Sequence, residues 1–293
     1  MAISTITTFN DLLNSEIISD LILEEARDLT FMPSLILLKD IEGQGSNVYK
    51  FPILAALAAA GLTEASDMAS TTMSSDASGS ITVDEVGVRV DLSDKAAKLT
   101  GRIDVDAVIA ACGRALATKI ETACCAVFTS ASRSVGTTNV DLSLANVDDA
   151  LYTLKLGKAV FGNPTQPGSP FQGVSVVLQT VQMSNFRTAL RQANYSFDPL
   201  NALLAEAGKF GSGLAGVYQG MTFWESTLVP ASGDDFVGAM FVPRAIGLVT
   251  AGGVSVEPQR DASARSTEVN VVQMYGAGES DDLAYVKILS DGA

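Results

Sequence analysis

The chain contains no histidine among its 293 residues. This absence excludes the Ser-His-Asp triad, the Cys-His pair, histidine-ligated zinc and the usual near-neutral proton shuttle. Cysteine is scarce as well: Cys112, Cys124 and Cys125 lie on a predicted helix, and no CxxC pair occurs. We therefore interpret the cysteines as small apolar residues of a protein in a reducing compartment, rather than as a redox or metal site.

Basic residues are also few. The 19 Lys and Arg residues stand against 33 Asp and Glu residues, which gives a formal net charge of −14. The basic residues are scattered, so no cluster offers the phosphate contacts that nucleic-acid binding needs. An acidic balance instead suits the wall of a container that encloses DNA without binding it specifically.

The sequence has no long apolar segment and no export signal. Its longest apolar run, at residues 53–62, is too short to span a bilayer, and the N-terminus lacks the basic region of a secretory signal. With 47% apolar residues, the chain is long enough to bury one large core or two ordinary ones. We expect a protein made in the cytoplasm, with no membrane partner.

Hydrophobic periodicity predicts helices and strands together, which is the α+β class. One helical stripe covers residues 9–28, and the strongest helical signal runs from Asp104 to about Ser130, with apolar side chains at steps of three and four. A second group of elements follows this long helix and is rich in strands. Its predicted strands include residues 173–180, 217–229, 234–242, 245–253, 254–259 and 267–276, with a short helix at 181–192.

Residues 65–80, ASDMASTTMSSDASGS, contain no Lys, Arg or aromatic side chain and lie between two predicted strands. In the strand that follows, the apolar side chains occupy odd positions at Ile81 and Val83 but even positions from Val86 onward. The alternation therefore shifts by one residue at Asp84–Glu85. A strand absorbs such a slip through a bulge or bend. The flanks therefore predict a long, bent two-stranded ribbon that must lie on something else, because an isolated ribbon is marginal in water.

The sequence contains short motifs that resemble catalytic or cofactor-binding sites, but their flanking elements do not fit such sites. Residues 211–216, GSGLAG, match GxGxxG, but a predicted helix precedes them and a strand follows, the reverse of a dinucleotide-binding unit. Three acidic pairs are adjacent residues in predicted turns, where carboxylates point apart and stay solvated: Asp148–Asp149, Asp234–Asp235 and Asp281–Asp282. We predict no catalytic residue, no metal site, no cofactor and no enzymatic activity.

A charged loop between two late strands is the remaining candidate site. It concentrates the residues Arg260, Asp261, Arg265 and Glu268. Mixed charge is typical of a solvated turn, or of a contact in which arginine meets a carboxylate of a partner. We predict an inter-subunit contact at this loop.

The order of these pieces resembles the major capsid protein of tailed bacteriophages. An N-terminal helical arm leads to GSNVYKFP at residues 45–52, and a polar hairpin returns through ITVDEVGVRVDLSDKAAKLT at 81–100. A long helix, a central region with GVYQGMTFWESTLVP at 216–230, and a strand-rich tail follow. This is the Hong Kong-type capsid fold, which the floor of herpesvirus capsids and the encapsulins share.

The resemblance implies a domain order. It assigns residues 1–48 to an N-terminal arm, 49–102 to an extended hairpin (the E-loop), 103–136 to the peripheral-domain spine helix, 137–247 to an axial domain, and 248–293 to the strand-rich return of the peripheral domain and the C-terminus. In such shells the hairpin lies across a neighbouring subunit. The implied contacts at its tip are Asp67, Met68, Thr71, Met73, Asp76 and Ser80.

The resemblance also implies a function and partners. The chain would self-assemble into hexamers and pentamers that form the icosahedral head around the phage genome, in the host cytoplasm and then in the virion. A portal protein, a separate scaffolding protein, a decoration protein and packaged DNA without specific binding complete the implied set. A separate scaffold is expected because only about forty residues precede the hairpin.

Some family members join the hairpin to a neighbour through a Lys–Asn isopeptide bond. No lysine lies between Lys50 and Lys95, so the hairpin tip cannot supply that amine and we expect a noncovalent shell. Two alternatives stay open: an encapsulin-like compartment that holds a cargo enzyme, and, from a different class, a cytoplasmic enzyme with carboxylate chemistry.

Overall fold

The structure is a computed structural model that describes residues 30–51, 53–54, 75–76, 79–95, 105–157, 173–193 and 214–292. It contains helices and strands in a mixed order, so the predicted α+β class is confirmed. The helix predicted at residues 9–28 and the predicted tip contacts Asp67, Met68, Thr71 and Met73 lie outside the described residues.

The elements agree closely with the predicted order. The helices are α1 (Val105–Ala126), α2 (Leu144–Leu156) and α3 (Thr180–Gln192), with a one-turn helix at Met32–Leu35 and 3-10 turns at Val127–Ser130, Pro243–Ala245 and Asp282–Ala284. The strands are β1 (Leu37–Asp40), β2 (Val48–Lys50), β3 (Ile53–Leu54), β4 (Ser75–Asp76), β5 (Ser80–Thr82), β6 (Asp84–Ser93), β7 (Ser134–Gly136), β8 (Val174–Leu178), β9 (Leu214–Tyr218), β10 (Met221–Glu225), β11 (Ala231–Ser232), β12 (Asp235–Phe241), β13 (Ile246–Thr250), β14 (Ser255–Asp261), β15 (Ser266–Glu279) and β16 (Tyr285–Asp291).

A five-stranded sheet is organised around β15, which is 14 residues long. Strand β6 pairs antiparallel with β15 from Ser93↔Ser266 to Asp84↔Tyr275. Strands β14 and β13 pair with successive parts of β15, and β1 adds to β13 in parallel. Alternate apolar side chains of β6 and β15 pack with α1, so the period-two pattern of these strands has a direct cause.

A seven-stranded sheet has the order β7-β16-β12-β8-β10-β9, with β11 on β12. All five residues of β8 are buried, as expected for a central strand. The single strand predicted at residues 217–229 is wrong: the chain turns back at Gln219 and Gly220, whose φ angles of 49° and 79° are typical of a tight hairpin turn.

One apolar core includes side chains from both large sheets and from the C-terminal half of α1. The helical stripe predicted for α1 is confirmed, because Cys112, Leu116 and Ile120 are buried. The three cysteines are also buried and free, which agrees with their interpretation as small apolar residues.

All three acidic pairs differ from the prediction of solvated turn carboxylates. Asp281 pairs with Arg244, and Asp282 accepts the backbone N–H of Ser132. Asp148 and Asp149 lie on the exposed face of α2, because the apolar steps on the opposite face of this helix outweigh the turn signal of adjacent aspartates. Asp235 is 6% exposed, and its Oδ1 accepts a hydrogen bond from the backbone N–H of Asn139 at 2.7 Å. This carboxylate therefore fixes a turn instead of meeting solvent.

Candidate inter-subunit surfaces

The predicted ribbon is present at the ends that the structure describes. Strands β2 and β5 pair antiparallel from Val48↔Thr82 to Lys50↔Ser80. Farther along, β3 and β4 pair through Ile53↔Asp76 and Leu54↔Ser75. Of the predicted tip contacts, Asp76 and Ser80 thus lie within the strands of the ribbon, and Ser80 is exposed.

The predicted phase slip marks the point where the chain changes sheet. Strand β5 ends at Thr82 and pairs with β2, whereas β6 begins at Asp84 and pairs with β15. Between them, Val83 is buried and its N–H donates to the carbonyl of Asn47 at 2.8 Å. The sequence predicted a bend within one long ribbon, and this is wrong for the residues after Val83: the chain leaves the ribbon here, because β6 pairs with β15 of the five-stranded sheet.

The base of the ribbon rests on a surface of glycines in β13 and β15. Ile81 is 2% exposed and lies over Gly278, where an added Cβ would be 2.9 Å from Ile81 Cγ1. A Cβ at Gly276 would collide with the carbonyl oxygen of Thr82, and one at Gly247 would meet the ring of Phe51. Only glycine permits this close approach of the two layers.

The outer part of the ribbon is structurally separate from its base. Strands β3 and β4 form a two-stranded sheet of their own, apart from both large sheets. Two strands alone are marginally stable in water, because they bury little apolar surface.

The charged loop is the turn between β14 and β15. Arg260 binds Asp94 through two hydrogen bonds, of 2.7 Å to Oδ1 and 2.6 Å to Oδ2, and these raise the pKa of the guanidinium. Asp261 accepts hydrogen bonds from Ser263 and from the N–H of Ala264, which lower the pKa of its carboxyl group and fix the turn.

The other two charged residues of the loop, Glu268 and Arg265, lie in different environments. Glu268 accepts a hydrogen bond from Arg89 Nη2 at 2.6 Å across the β6–β15 pair. Arg265 has an exposed side chain and a φ of 53°, and its carbonyl oxygen accepts the N–H of Asp94 at 2.9 Å. The structure therefore brings the loop together with Arg89 of β6 and with Asp94, which directly follows β6. Neither residue was part of the contact predicted from the sequence.

Comparison with known proteins was informative only at the level of structure. No family model and no curated protein matches the sequence. The head structure of Helicobacter pylori bacteriophage KHP40 matches with a TM-score of 0.67 and 12% identity, over 91% of each chain. The capsid of Ralstonia phage GP4 also matches with a TM-score of 0.67 and 12% identity, over 88% of this chain and 87% of that one.

The chain has the phage capsid-protein fold. A virus-like particle from Pyrococcus furiosus also shares this fold, with a TM-score of 0.57 and 9% identity over 93% of this chain and 98% of that one.

A buried carboxyl group in the capsid fold escaped the sequence analysis. Glu121 of α1 is 3% exposed, and its Oε1 accepts the N–H of Met32 at 3.4 Å. Burial raises its pKa to about 7, while the backbone N–H groups of Met32 and Phe31 lower it. The sequence did contain a signal for this burial. Glu121 lies four residues after Ala117 and three before Cys124, so it shares a helix face with these apolar residues.

The described ranges hold neither a metal cluster nor a membrane helix. No three His, Cys, Asp or Glu side chains in these ranges are close enough to hold a metal ion. None of the helices described is both long and apolar enough to cross a membrane.

Proposed function

We propose that this chain is a phage major capsid protein that assembles into the icosahedral shell of the head. The observation that supports this best is the likeness to phage head and capsid structures over about nine tenths of both chains. Hexamers and pentamers of one chain would form the shell. Each contact is repeated around closed symmetry, so modest interface energies add up to a stable particle.

The ribbon is the first proposed contact with a neighbouring subunit. Its outer strands β3 and β4 do not belong to either large sheet, so a second copy of the chain supplies the surface they need. The residues we assign to this contact are Asp67, Met68, Thr71, Met73, Asp76 and Ser80. The hydroxyl groups of Thr71 and Ser80 can donate to the neighbour, and the flexible side chains of Met68 and Met73 adapt to slightly different fits around pentamers and hexamers.

The charged loop is the second proposed contact. Three of its charged residues, Arg260, Asp261 and Glu268, are held by hydrogen bonds within the chain, which orders the turn. Arg265 remains exposed beside them and is the group we assign to a carboxylate of the neighbour. The predicted domain boundaries, the portal, scaffolding and decoration partners and the noncovalent shell belong to the same proposal.

An encapsulin-like compartment is the second candidate function. The virus-like particle from Pyrococcus furiosus supports it, because it matches 93% of this chain. The contents of purified particles distinguish the two functions. Packaged DNA supports a phage head, and a protein cargo supports a compartment.

The experiment that tests the proposal shortens the ribbon without opening it. Residues 55–74 are replaced by Asn-Gly, which closes a two-residue turn directly on the Leu54↔Ser75 pair. The matched control replaces the same residues with a Gly/Ser linker of equal length. Electron microscopy of wild-type protein should show closed particles, and both variants should give folded subunits that form none.

Circular dichroism and thermal melting establish whether the shortened subunit is folded. If the Asn-Gly variant unfolds while isolated wild-type subunits are stable, the segment belongs to its own body and the assigned contact is wrong. Closed particles from the folded Asn-Gly variant would refute the ribbon contact. Wild-type protein that stays monomeric at high concentration, with and without its scaffolding partner, would refute the shell itself.

A further inference from the structure

Three large apolar side chains are exposed near one another at the C-terminal end of α2. Tyr152 and Leu156 lie one turn apart on the outer face of this helix, and they are 62% and 64% exposed. Leu283 is 50% exposed, and its carbonyl oxygen lies beside Gly157, which directly follows the helix. Large apolar side chains that are grouped on a surface mark an interaction site more often than single ones do, so this patch is a candidate contact.

The body of the protein holds this patch in place. The opposite face of α2 is buried in the apolar core through Val147, Ala150, Leu151 and Leu154. Arg133 Nη1 donates to the carbonyl oxygens of Thr153 and Leu283, at 3.3 and 3.4 Å, and so joins the end of the helix to the segment of Leu283. A surface that is already ordered loses little conformational entropy on binding, so a small contact area suffices for association.

Two opposite charges border the patch on one flank of α2. Asp148 lies four residues before Tyr152 and Lys155 three residues after it, and both are exposed. Residues seven apart occupy the same flank of a helix, here on either side of the tyrosine. They are about 10 Å apart along the helix axis, too far to bind each other. This flank is therefore acidic at one end and basic at the other.

The order of these charges is self-complementary. When a second α2 lies antiparallel on the first, with Tyr152 at the two-fold axis, Asp148 of each copy faces Lys155 of the other. On the opposite flank, Leu156 of each copy comes between Ala145 and Tyr152 of the other, where the short, exposed side chain of Ala145 leaves room. A parallel arrangement would instead place like charges against each other. The charges therefore favour one occupant in one orientation.

We propose that this face of α2 binds the same face of a second copy of the chain, antiparallel and across a two-fold axis at Tyr152. The contact consists of aromatic and aliphatic side chains between two Asp148–Lys155 ion pairs. It is distinct from the proposed ribbon and loop contacts. The inference rests on the proposed function only for its place in the particle, because an icosahedral shell has two-fold axes that a self-complementary face fits.

The test measures association of the full-length, unassembled chain by sedimentation velocity, over a series of concentrations below those at which particles form. A wild-type dimer is expected, with a dissociation constant above about 1 μM because the contact is smaller than a standard interface. Tyr152→Ala removes the side chain at the axis and should weaken the dimer about thirtyfold. Leu38→Ala, which shortens an exposed apolar side chain of β1, is the matched control and should leave the dimer unchanged.

Exchange of the two charges tests the antiparallel two-fold arrangement. Asp148→Lys and Lys155→Asp should each weaken the dimer about tenfold, because each variant brings like charges together at both ends of the contact. A mixture of the two variants should associate again, since every contact between them pairs opposite charges. The double variant should also recover, because its charges are exchanged but still complementary. Glu257→Lys, which reverses an exposed carboxylate of β14, is the control for the change in net charge.

The outcomes separate this contact from the shell. Particles from a wild-type chain whose unassembled subunits stay monomeric would overturn the contact and leave the proposed function standing, whereas dimers without particles would do the reverse. A dimer that Tyr152→Ala weakens, but that neither the mixture nor the double variant restores, would overturn the two-fold arrangement and assign the patch to a different surface. Equal effects of Tyr152→Ala and Leu38→Ala would overturn the site itself. Circular dichroism confirms that the variants are folded, as expected for replacements of exposed side chains.

Discussion

Replacing Gly276 with alanine tests how the ribbon is attached to the body. The added Cβ would collide with the carbonyl oxygen of Thr82, which is backbone and cannot move away by changing a rotamer. The base of the ribbon must therefore lift from β15, or β15 must bend. Either change separates Ile81 from the glycine surface on which it is buried.

The expected magnitude follows from that separation. Exposing a buried isoleucine costs about 2 kcal/mol, and overpacking against fixed backbone costs about 1–3 kcal/mol. Alanine also restricts the unfolded chain more than glycine does, which returns about 0.4–1 kcal/mol. We expect Gly276→Ala to lower the free energy of unfolding of the isolated subunit by about 2–5 kcal/mol.

Urea denaturation of unassembled subunits measures this difference. Gly253→Ala is the matched control, because a Cβ there has no heavy atom within 4 Å, and its effect should stay within about 0.5 kcal/mol. Gly247→Ala should fall between the two, since its Cβ meets the ring of Phe51, which is able to move. Equal stability of the Gly276 and Gly253 variants would refute the close-approach argument.

Three further predictions concern charge, thiols and covalent bonds. Burial raises the pKa of Glu121 in the folded state from 4.5 to about 7. Between these pH values the folded state therefore binds more protons than the unfolded state. The free energy of unfolding should fall by up to about 3 kcal/mol as the pH rises from 4.5 to above 7. Urea titrations at pH 5 and pH 8 should show a smaller difference for Glu121→Gln. Cys124 and Cys125 should resist thiol reagents in the folded subunit and react in urea, and fast reaction without denaturant would contradict their burial. Denaturing electrophoresis of mature particles should give a single chain of 30.5 kDa, whereas a ladder of multimers would show covalent linkage despite the absence of lysine between Lys50 and Lys95.

Helices, strands and turns that are encoded by neighbouring residues could be predicted from the sequence. The apolar repeat of α1 identified its buried face. The change of phase after Val83 marked an irregularity at the right place, but it predicted a bend in the ribbon, whereas the chain enters another sheet there. The turn at Gln219–Gly220 was also encoded locally, by a glycine in a left-handed conformation, but the flanking strands read as one continuous pattern.

Contacts set by register or docking could not be predicted. Arg260 reaches Asp94 only because β6 and β14 both lie beside β15, which no spacing along the chain reveals. Glu121 is buried only because the one-turn helix at Met32–Leu35 places its N-terminus over the carboxyl group. Asp235 likewise depends on the distant Asn139.

The apolar core shared by both large sheets makes the stability of the subunit uneven. Strands such as β12 and β8 have fully buried side chains from that core, so their amide protons should exchange with solvent only when the whole body unfolds cooperatively. The two-residue pair β3–β4 forms a sheet of its own, and such a short pair can open at a lower free energy. In an unassembled subunit the ribbon would therefore open locally while the body stays folded, and docking on a neighbour would suppress this opening.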